Sequence, residues 1–427
     1  MDSYNVLIIA YYFPPMGLSG VQRIAKFVKY LPDFGWNPFV LTSNSAAYYA
    51  FDEEMVNELN SNNIKIFRTE EDITKHLKKS DKKQISYPSK FRQKFQSKLL
   101  QTFLQPDSRR FWMKNALKKA DEIIAENKID VILSTAPPFT DFMVAQKLSK
   151  KYDIPYICDY RDLWVDNPYY FYATFFHKNY AFKLEKNILK SSRTAIVITR
   201  DMKSKLLNRY RFLSNNDVAI IPHGYDQADF DSVKNSVKKS SKFVISHSGV
   251  FSADLTPRYF FQALAILFDE KPNIKQEFDI RFIGILQKSF QKLIKKLELD
   301  DVINTTDYLP HSESVRNLLE SDVLWMMIPQ SIVTPSRFYE YLGARKPIIM
   351  SSPESELTRI AESANASIIV GYKDIIELKN AIYQYYDLWK KNELPVPDEA
   401  LVVKYERKFL AKQLSKELAL SVKYRPV

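Results

Sequence analysis

Val6-Leu7-Ile8-Ile9-Ala10-Tyr11-Tyr12-Phe13-Pro14-Pro15-Met16-Gly17-Leu18-Ser19-Gly20-Val21-Gln22-Arg23 is the stretch on which the rest of the sequence turns. Val6 to Ile9 are apolar at successive positions, without alternation. A strand buried on both faces of a helix-covered parallel sheet reads that way. Proline and glycine then break the run, and from Val21 to Leu31 the apolar spacing becomes helical. Glycine allows close backbone approach, and a helix start attracts anions through its free N–H groups and dipole. Gly17 and Gly20 are therefore candidate ligand contacts. Their spacing fits neither the dinucleotide nor the P-loop glycine fingerprint. A plain strand-to-helix turn stays open as the alternative.

The same texture continues outward. Further β-rich runs lie at Pro38–Ser43, Ile64–Thr69, Val131–Thr135, Tyr156–Tyr160, Thr194–Thr199 and Val218–His223, with helical patterns such as Phe111–Glu126, Phe139–Lys151 and Tyr180–Lys190 between them. Tyr225 to Lys242 is polar with little periodicity and reads as a linker. A second series follows, with runs at Phe243–His247, Asp279–Gly284, Val302–Tyr308, Val323–Ile328, Pro347–Met350 and Ser367–Val370. The expected architecture is α/β, two Rossmann-like, doubly wound parallel-sheet domains facing across a cleft. The expected boundaries are 1–228 for the first domain, 229–241 for the linker, 242–395 for the second domain and 396–427 for a C-terminal helix that returns to the first.

The 427 residues, 45% hydrophobic and 26% charged, are ordinary globular composition and argue against a largely disordered chain. Cys158 stands alone, which excludes a disulfide framework and points to a reducing compartment. No apolar window is long enough to cross a bilayer as a helix, and the N-terminus lacks a basic region and cleavage site, so a cytoplasmic location is expected. Of the net charge of +12, all resides between Thr74 and Lys119, where 14 Lys and Arg face only Asp81 and Asp107. Within it Phe91, Phe95, Leu99, Leu100, Phe103 and Leu104 form one helical stripe, flanked by Lys90, Arg92, Lys94 and Lys98. Such a basic amphipathic helix is expected to lie on an anionic membrane surface, with Lys90, Phe91, Arg92, Lys94, Phe95 and Lys98 in contact. A domain helix whose stripe packs inward is the other reading. Nucleic acid is not expected, because no zinc, RNP or helix-turn-helix pattern accompanies the charge.

Thr334-Pro335-Ser336-Arg337-Phe338-Tyr339-Glu340 reads as a helix start, with Thr334 as N-cap and Pro335 at the first position. The N–H groups of Ser336 and Arg337 and the Arg337 guanidinium suit phosphate oxygens, and Glu340, one turn on, suits a vicinal diol. A local Arg–Glu pair is the competing reading. Asp159-Tyr160-Arg161-Asp162 follows a strand tip, so its charges pair with one another or meet a polar ligand. Gly249 closes the first strand of the second series, and His223 marks the domain boundary as a hinge residue or a sugar contact. The five histidines show no metal-ligand spacing, no nucleophile elbow occurs, and Asp229-Phe230-Asp231 lies in the linker. No metal or cofactor is expected.

Taken together, Asn5–Thr42, STAPPF at Ser134–Phe139, DYRDLW at Asp159–Trp164, IPHGYD at Ile221–Asp226 and PSRFYEYLGARKPI at Pro335–Ile348 resemble family 4 of the retaining glycosyltransferases, of GT-B architecture and bacterial surface-polysaccharide type. The resemblance implies transfer of a sugar, with retention and without a metal, from a UDP- or GDP-linked donor. The acceptor would be a membrane-associated glycan or polyprenyl-diphosphate-linked chain at the inner face of the plasma membrane. It places Arg161, Asp162 and Arg258 in the catalytic set. Gly17, Gly20, His223, Gly249, Thr334, Ser336, Arg337 and Glu340 form the donor-binding set, with Glu340 on the ribose. The family's first glutamate position holds Ile332, the usual Asn before Gly224 is His223, and Arg258 and Lys288 are the nearest cations after Gly249. Two other readings share the architecture: a nucleotide-sugar 2-epimerase, and a catalytically silent scaffold at the membrane.

Overall fold

The computed structural model describes residues 3–17, 19–44, 47–48, 52–60, 64–69, 83–84, 105–167, 170–249, 251, 256–284, 286–307, 309–330 and 334–423. The membrane-contact residues Lys90, Phe91, Arg92, Lys94, Phe95 and Lys98, and Ile332, lie outside them. The chain divides into two compact units, Met1–Pro222 with Arg407–Val427, and His223–Glu406.

The first unit holds a seven-stranded sheet. Its strands are β1 (Tyr4–Ile9), β2 (Trp36–Ser43), β3 (Lys65–Thr69), β4 (Val131–Ala136), β5 (Tyr156–Tyr160), β6 (Thr194–Val197) and β7 (Val218–Ile220). All pair in parallel in the order β3-β2-β1-β4-β5-β6-β7, with Ile8 flanked by Val40 and Leu133. The order reverses between β1 and β4, the switch point beyond whose carboxyl ends doubly wound sheets bind ligands. Every residue of β4 and β5 is buried, which is why those runs show no alternation. Val6 and Ile8 pack under Ile24 and Val28 of the Ser19–Tyr30 helix. Leu410, Leu414 and Leu418 of the Arg407–Lys423 helix recur at i, i+4 and i+8 and close the same core. Each such leucine contributes about 1.5–3 kcal/mol on burial.

The second unit repeats the plan with six strands. They are β8 (Phe243–Ser248), β9 (Phe278–Ile283), β10 (Ile303–Thr306), β11 (Val323–Met327), β12 (Ile348–Ser351) and β13 (Ser367–Val370), in the parallel order β10-β9-β8-β11-β12-β13. The reversal falls between β8 and β11. Phe260, Leu264, Ile382 and Tyr385 cover one face, while Phe230, Leu318, Phe338 and Leu342 cover the other.

Two expected segments differ. The linker at 229–241 begins inside a helix, Gln227–Val233, followed by a 3-10 turn at Lys234–Ser236, and the chain changes unit between Pro222 and His223. Asp226 caps that helix by accepting from the Ala228 N–H at 3.2 Å, and Phe230 is its one buried anchor, too little apolar signal to register as periodic. The C-terminal helical stretch is also not continuous. It breaks at Val403–Glu406, where Glu406 is extended and bridges to Tyr225, whose N–H donates to the Tyr405 carbonyl at 3.0 Å.

What ties the tips of the first sheet together is a buried ion pair. Arg23, on the first helix, is fully buried; its Nη2 donates to Asp159 Oδ1 at 2.8 Å, and its Nε lies 3.2 Å from both carboxylate oxygens. The guanidinium also reaches the carbonyls of Ile221 (2.9 Å) and Pro222 (2.7 Å), and Thr135 donates to Asp159 at 2.8 Å. Removing one member leaves an uncompensated buried charge. Arg23→Met should therefore lower stability by about 3–5 kcal/mol in urea unfolding. A loss under about 1 kcal/mol would show that the pair does not hold these tips.

Candidate functional site

In the second unit the tip of β8 carries His247-Ser248-Gly249, and Arg337 opens the Arg337–Gly343 helix. The Arg337 Nη1 donates to the Ser248 carbonyl at 2.9 Å and lies 3.3 Å from His247 Nε2. His247 is buried, and its Nδ1 sits 3.0 Å from the Trp325 carbonyl of β11. That carbonyl only accepts, so Nδ1 carries the ring proton and Nε2 presents its lone pair to the guanidinium. Burial, then the Arg337 charge, push the imidazole down to about 3. Tyr341, one turn along the helix, accepts from the Ser248 N–H at 2.7 Å and fixes the loop from the other side.

Gly249 makes room for this arrangement. A Cβ there would stand 1.8 Å from Arg337 Nη1, and the residue has φ of +134°. Gly284, at the tip of β9 with φ of +126°, faces the Gly249 carbonyl, which an added Cβ would approach to 2.7 Å. Both glycines are thus required, one by the guanidinium and one by the neighbouring backbone. Of the Arg337 N–H groups, only those on Nη1 have an acceptor among the described residues. Glu340 is half-buried, and its carboxylate makes no hydrogen bond or ion pair among the described residues. Arg258, the first residue of the Arg258–Glu270 helix, is exposed; its backbone N–H meets Thr256 at 3.3 Å, and its guanidinium has no acceptor among the described residues.

The expected cap is corrected. Ser336, with helical φ and ψ and no side-chain cap bond, precedes the helix, while Thr334 and Pro335 lie ahead of the turn made by Phe338 N–H to the Pro335 carbonyl at 3.2 Å. Proline's fixed φ is used two residues before the first helical position, Arg337. His223 is buried beside Tyr339, ring centroids 6.3 Å apart.

In the first unit Gly17 is buried and Gly20 exposed. Arg161 lies beneath Gly20 and is buried, its guanidinium held by the carbonyls of Gly20 and Pro137 and, at 3.4 Å, of Ala136. Asp162 is exposed and makes no hydrogen bond or ion pair among the described residues. Sequence reasoning left Arg23, Asp141 and His247 unassigned. Asp141 is fully buried, accepts from the Tyr11 N–H at 2.8 Å, and is held well above the usual carboxylate range by burial. Its signal was the carboxylate directly after STAPPFT, at the first turn of a helix behind the switch point.

A family model described as Glycosyltransferase Family 4 matches residues 86–229. No curated protein matches the sequence. A glycosyltransferase from Rickettsia africae is similar over 98% of this chain and 99% of its own, with TM-score 0.64 and 14% identity. The Anabaena HepE protein in complex with UDP is similar over 98% and 100%, with TM-score 0.64 and 11% identity. A UDP-GlcNAc 2-epimerase from Neisseria meningitidis, bound to UDP-GlcNAc, is similar over 97% and 100%, with TM-score 0.60 and 14% identity. At these identities the likeness shows the fold, and that fold is GT-B.

The depressed His247 pKa has a sign that can be measured. The unfolded chain's imidazole protonates near 6.5 and the folded one near 3, so the site's contribution is full above about 6.5 and is lost as pH falls toward about 3. Wild-type unfolding free energy should therefore drop by up to about 1.4 kcal/mol per pH unit in that window from this residue. His247→Gln should flatten the slope by that amount between about pH 6 and 4 in urea titrations. Equal slopes in the two proteins would refute a neutral, buried imidazole.

Proposed function

We propose that the protein is a glycosyltransferase whose second unit holds a nucleoside diphosphate sugar, UDP- or GDP-linked. The donor diphosphate sits on Arg337 and the ribose diol on Glu340. The observation that carries this reading is the unspent hydrogen-bonding capacity of Arg337. The guanidinium is fixed at one end by Ser248 and His247, while its Nε and Nη2 groups have no acceptor among the described residues, at the switch point of a doubly wound sheet. A planar fork held at one end and open at the other suits phosphate oxygens. Glu340 one turn on offers two acceptors to a diol.

The chemistry follows from where charge develops. The bond from the anomeric carbon to the diphosphate breaks, and its electrons pass to the leaving oxygen, where the fixed guanidinium of Arg337 and the cation of Arg258 stabilise them. The acceptor hydroxyl forms the new bond on the same face of the sugar, giving retention, and its proton passes to the leaving phosphate. No metal ion and no protein base enter the step. The acceptor we propose is a lipid-linked glycan of cell-surface polysaccharide synthesis, met at the inner face of the plasma membrane with the basic segment 74–119 against anionic lipid.

The likeness to UDP-GlcNAc 2-epimerases supports a second reading, in which the same donor site serves an acceptor-free epimerisation. Incubation with UDP- and GDP-sugars separates them. A transferase releases nucleotide only when lipid acceptor is added, an epimerase converts the sugar without acceptor, and a silent scaffold binds no donor. Calorimetry should show UDP or GDP binding that falls by about ten- to a hundred-fold in Arg337→Ala. The loss should be similar in Gly249→Ala, whose added methyl displaces the guanidinium. Unchanged affinity in both variants would overturn the donor assignment.

A further inference from the structure

The helix Phe175–Ser191 carries a surface that the donor reading does not use. Its inward face is complete: Ala181, Glu185, Ile188 and Leu189 are its buried residues. Its first two turns nevertheless present aromatic side chains to water. Phe175 is 76% exposed, Phe176 79% and Tyr180 51%, with Phe175 and Phe176 edge to face at 6.3 Å. Phe176 and Tyr180 are spaced i, i+4 on the side opposite the buried stripe, so the exposed side of the helix start is aromatic. Adjacent large rings that exposed mark a contact surface, whereas exposed apolar residues scattered singly do not.

The charge around the rings says what they contact. The helix carries Lys178, Lys183, Lys186 and Lys190, and its single acid, Glu185, is buried. The ammonium groups of Lys186 and Lys190 lie 5.9 Å and 5.7 Å over the rings of Phe182 and Phe212. Aromatic rings at one level with lysines behind them, and no exposed acid on the element, match the headgroup boundary of an anionic bilayer. We infer that the N-terminal turns of this helix are an interfacial anchor: Phe175, Phe176 and Tyr180 enter the headgroup boundary of an anionic membrane while the lysines face its phosphates. This rests on none of the residues of the basic segment 74–119 and adds a second lipid contact to the first unit.

The lone cysteine, Cys158, is buried, so a cysteine placed at 176 can be labelled selectively. Full-length protein carrying Phe176→Cys with an environment-sensitive NBD label is mixed with vesicles of phosphatidylglycerol and phosphatidylcholine, or of phosphatidylcholine alone. The label's emission should rise several-fold and shift to shorter wavelength with the anionic vesicles only. Phe175→Ser/Phe176→Ser should lower vesicle partitioning at least ten-fold while leaving UDP and GDP binding and the melting temperature unchanged. A protein that sediments with vesicles while the label stays dark overturns this anchor and leaves the basic segment as the contact. No sedimentation at all overturns both. Emission that rises with protein concentration in the absence of vesicles assigns the rings to a protein contact and overturns the lipid assignment.

Discussion

A guanidinium removed from water must be given acceptors, and that constraint organises the strand tips of both units. The group carries five N–H donors and a charge that is never lost, so its burial is tolerated only where oxygens converge. Arg23 meets the Asp159 carboxylate and the carbonyls of Ile221 and Pro222, which joins the first helix to the ends of β5 and β7. Arg161 takes the carbonyls of Gly20 and Pro137 and holds the glycine turn from below. The carbonyls of Ile221 and Pro222 follow the end of β7 and that of Pro137 follows β4, and these two arginines supply them with donors.

The same rule separates Arg337 from the other two. Its protein acceptors, Ser248 and His247, both serve Nη1, and the side chain is only half-buried. Each guanidinium nitrogen of the first two arginines has an acceptor in the chain that carries them, whereas the third is oriented through Nη1, its only nitrogen with one among the described residues. His247 is what makes that orientation fixed. Were the imidazole protonated it would repel the guanidinium and lose its acceptor lone pair; burial against Trp325, Phe251 and Phe282 keeps it neutral. A buried neutral histidine thus places a half-exposed positive charge, a role that its residue type alone does not announce.

The sheets were legible in the sequence because burial on both faces writes itself as consecutive apolar residues. Val6-Leu7-Ile8-Ile9 lies in the strand Tyr4–Ile9, and Tyr156-Ile157-Cys158-Asp159-Tyr160 is a strand in full. The segments that differed are those whose fold depends on one distant contact. The Gln227–Val233 helix has Phe230 as its only buried side chain, and the break before Arg407 depends on a backbone bridge to Tyr225. Site residues divide in the same way. Arg337 and Glu340 share a helix, so their spacing shows in the chain. The Arg23–Asp159 pair spans 136 residues and the His247–Arg337 contact 90, and both come together only through the strand order.

Glycine placement sets the geometry of the second unit's strand tips. With eight glycines in 427 residues, each carries weight, and two of them face each other across the tips of β8 and β9. Gly249 donates to the Ile283 carbonyl at 2.8 Å and has its α-carbon directly under the guanidinium; Gly284 gives up its side chain so that the Gly249 carbonyl can pass. Both are in conformations that L side chains rarely adopt, so neither close approach is available to a substituted residue. The position of the Arg337 charge is therefore set less by what attracts it than by the space left empty beside it. That is a stricter condition than a salt bridge imposes, because an ion pair tolerates a rotamer change and a missing Cβ does not.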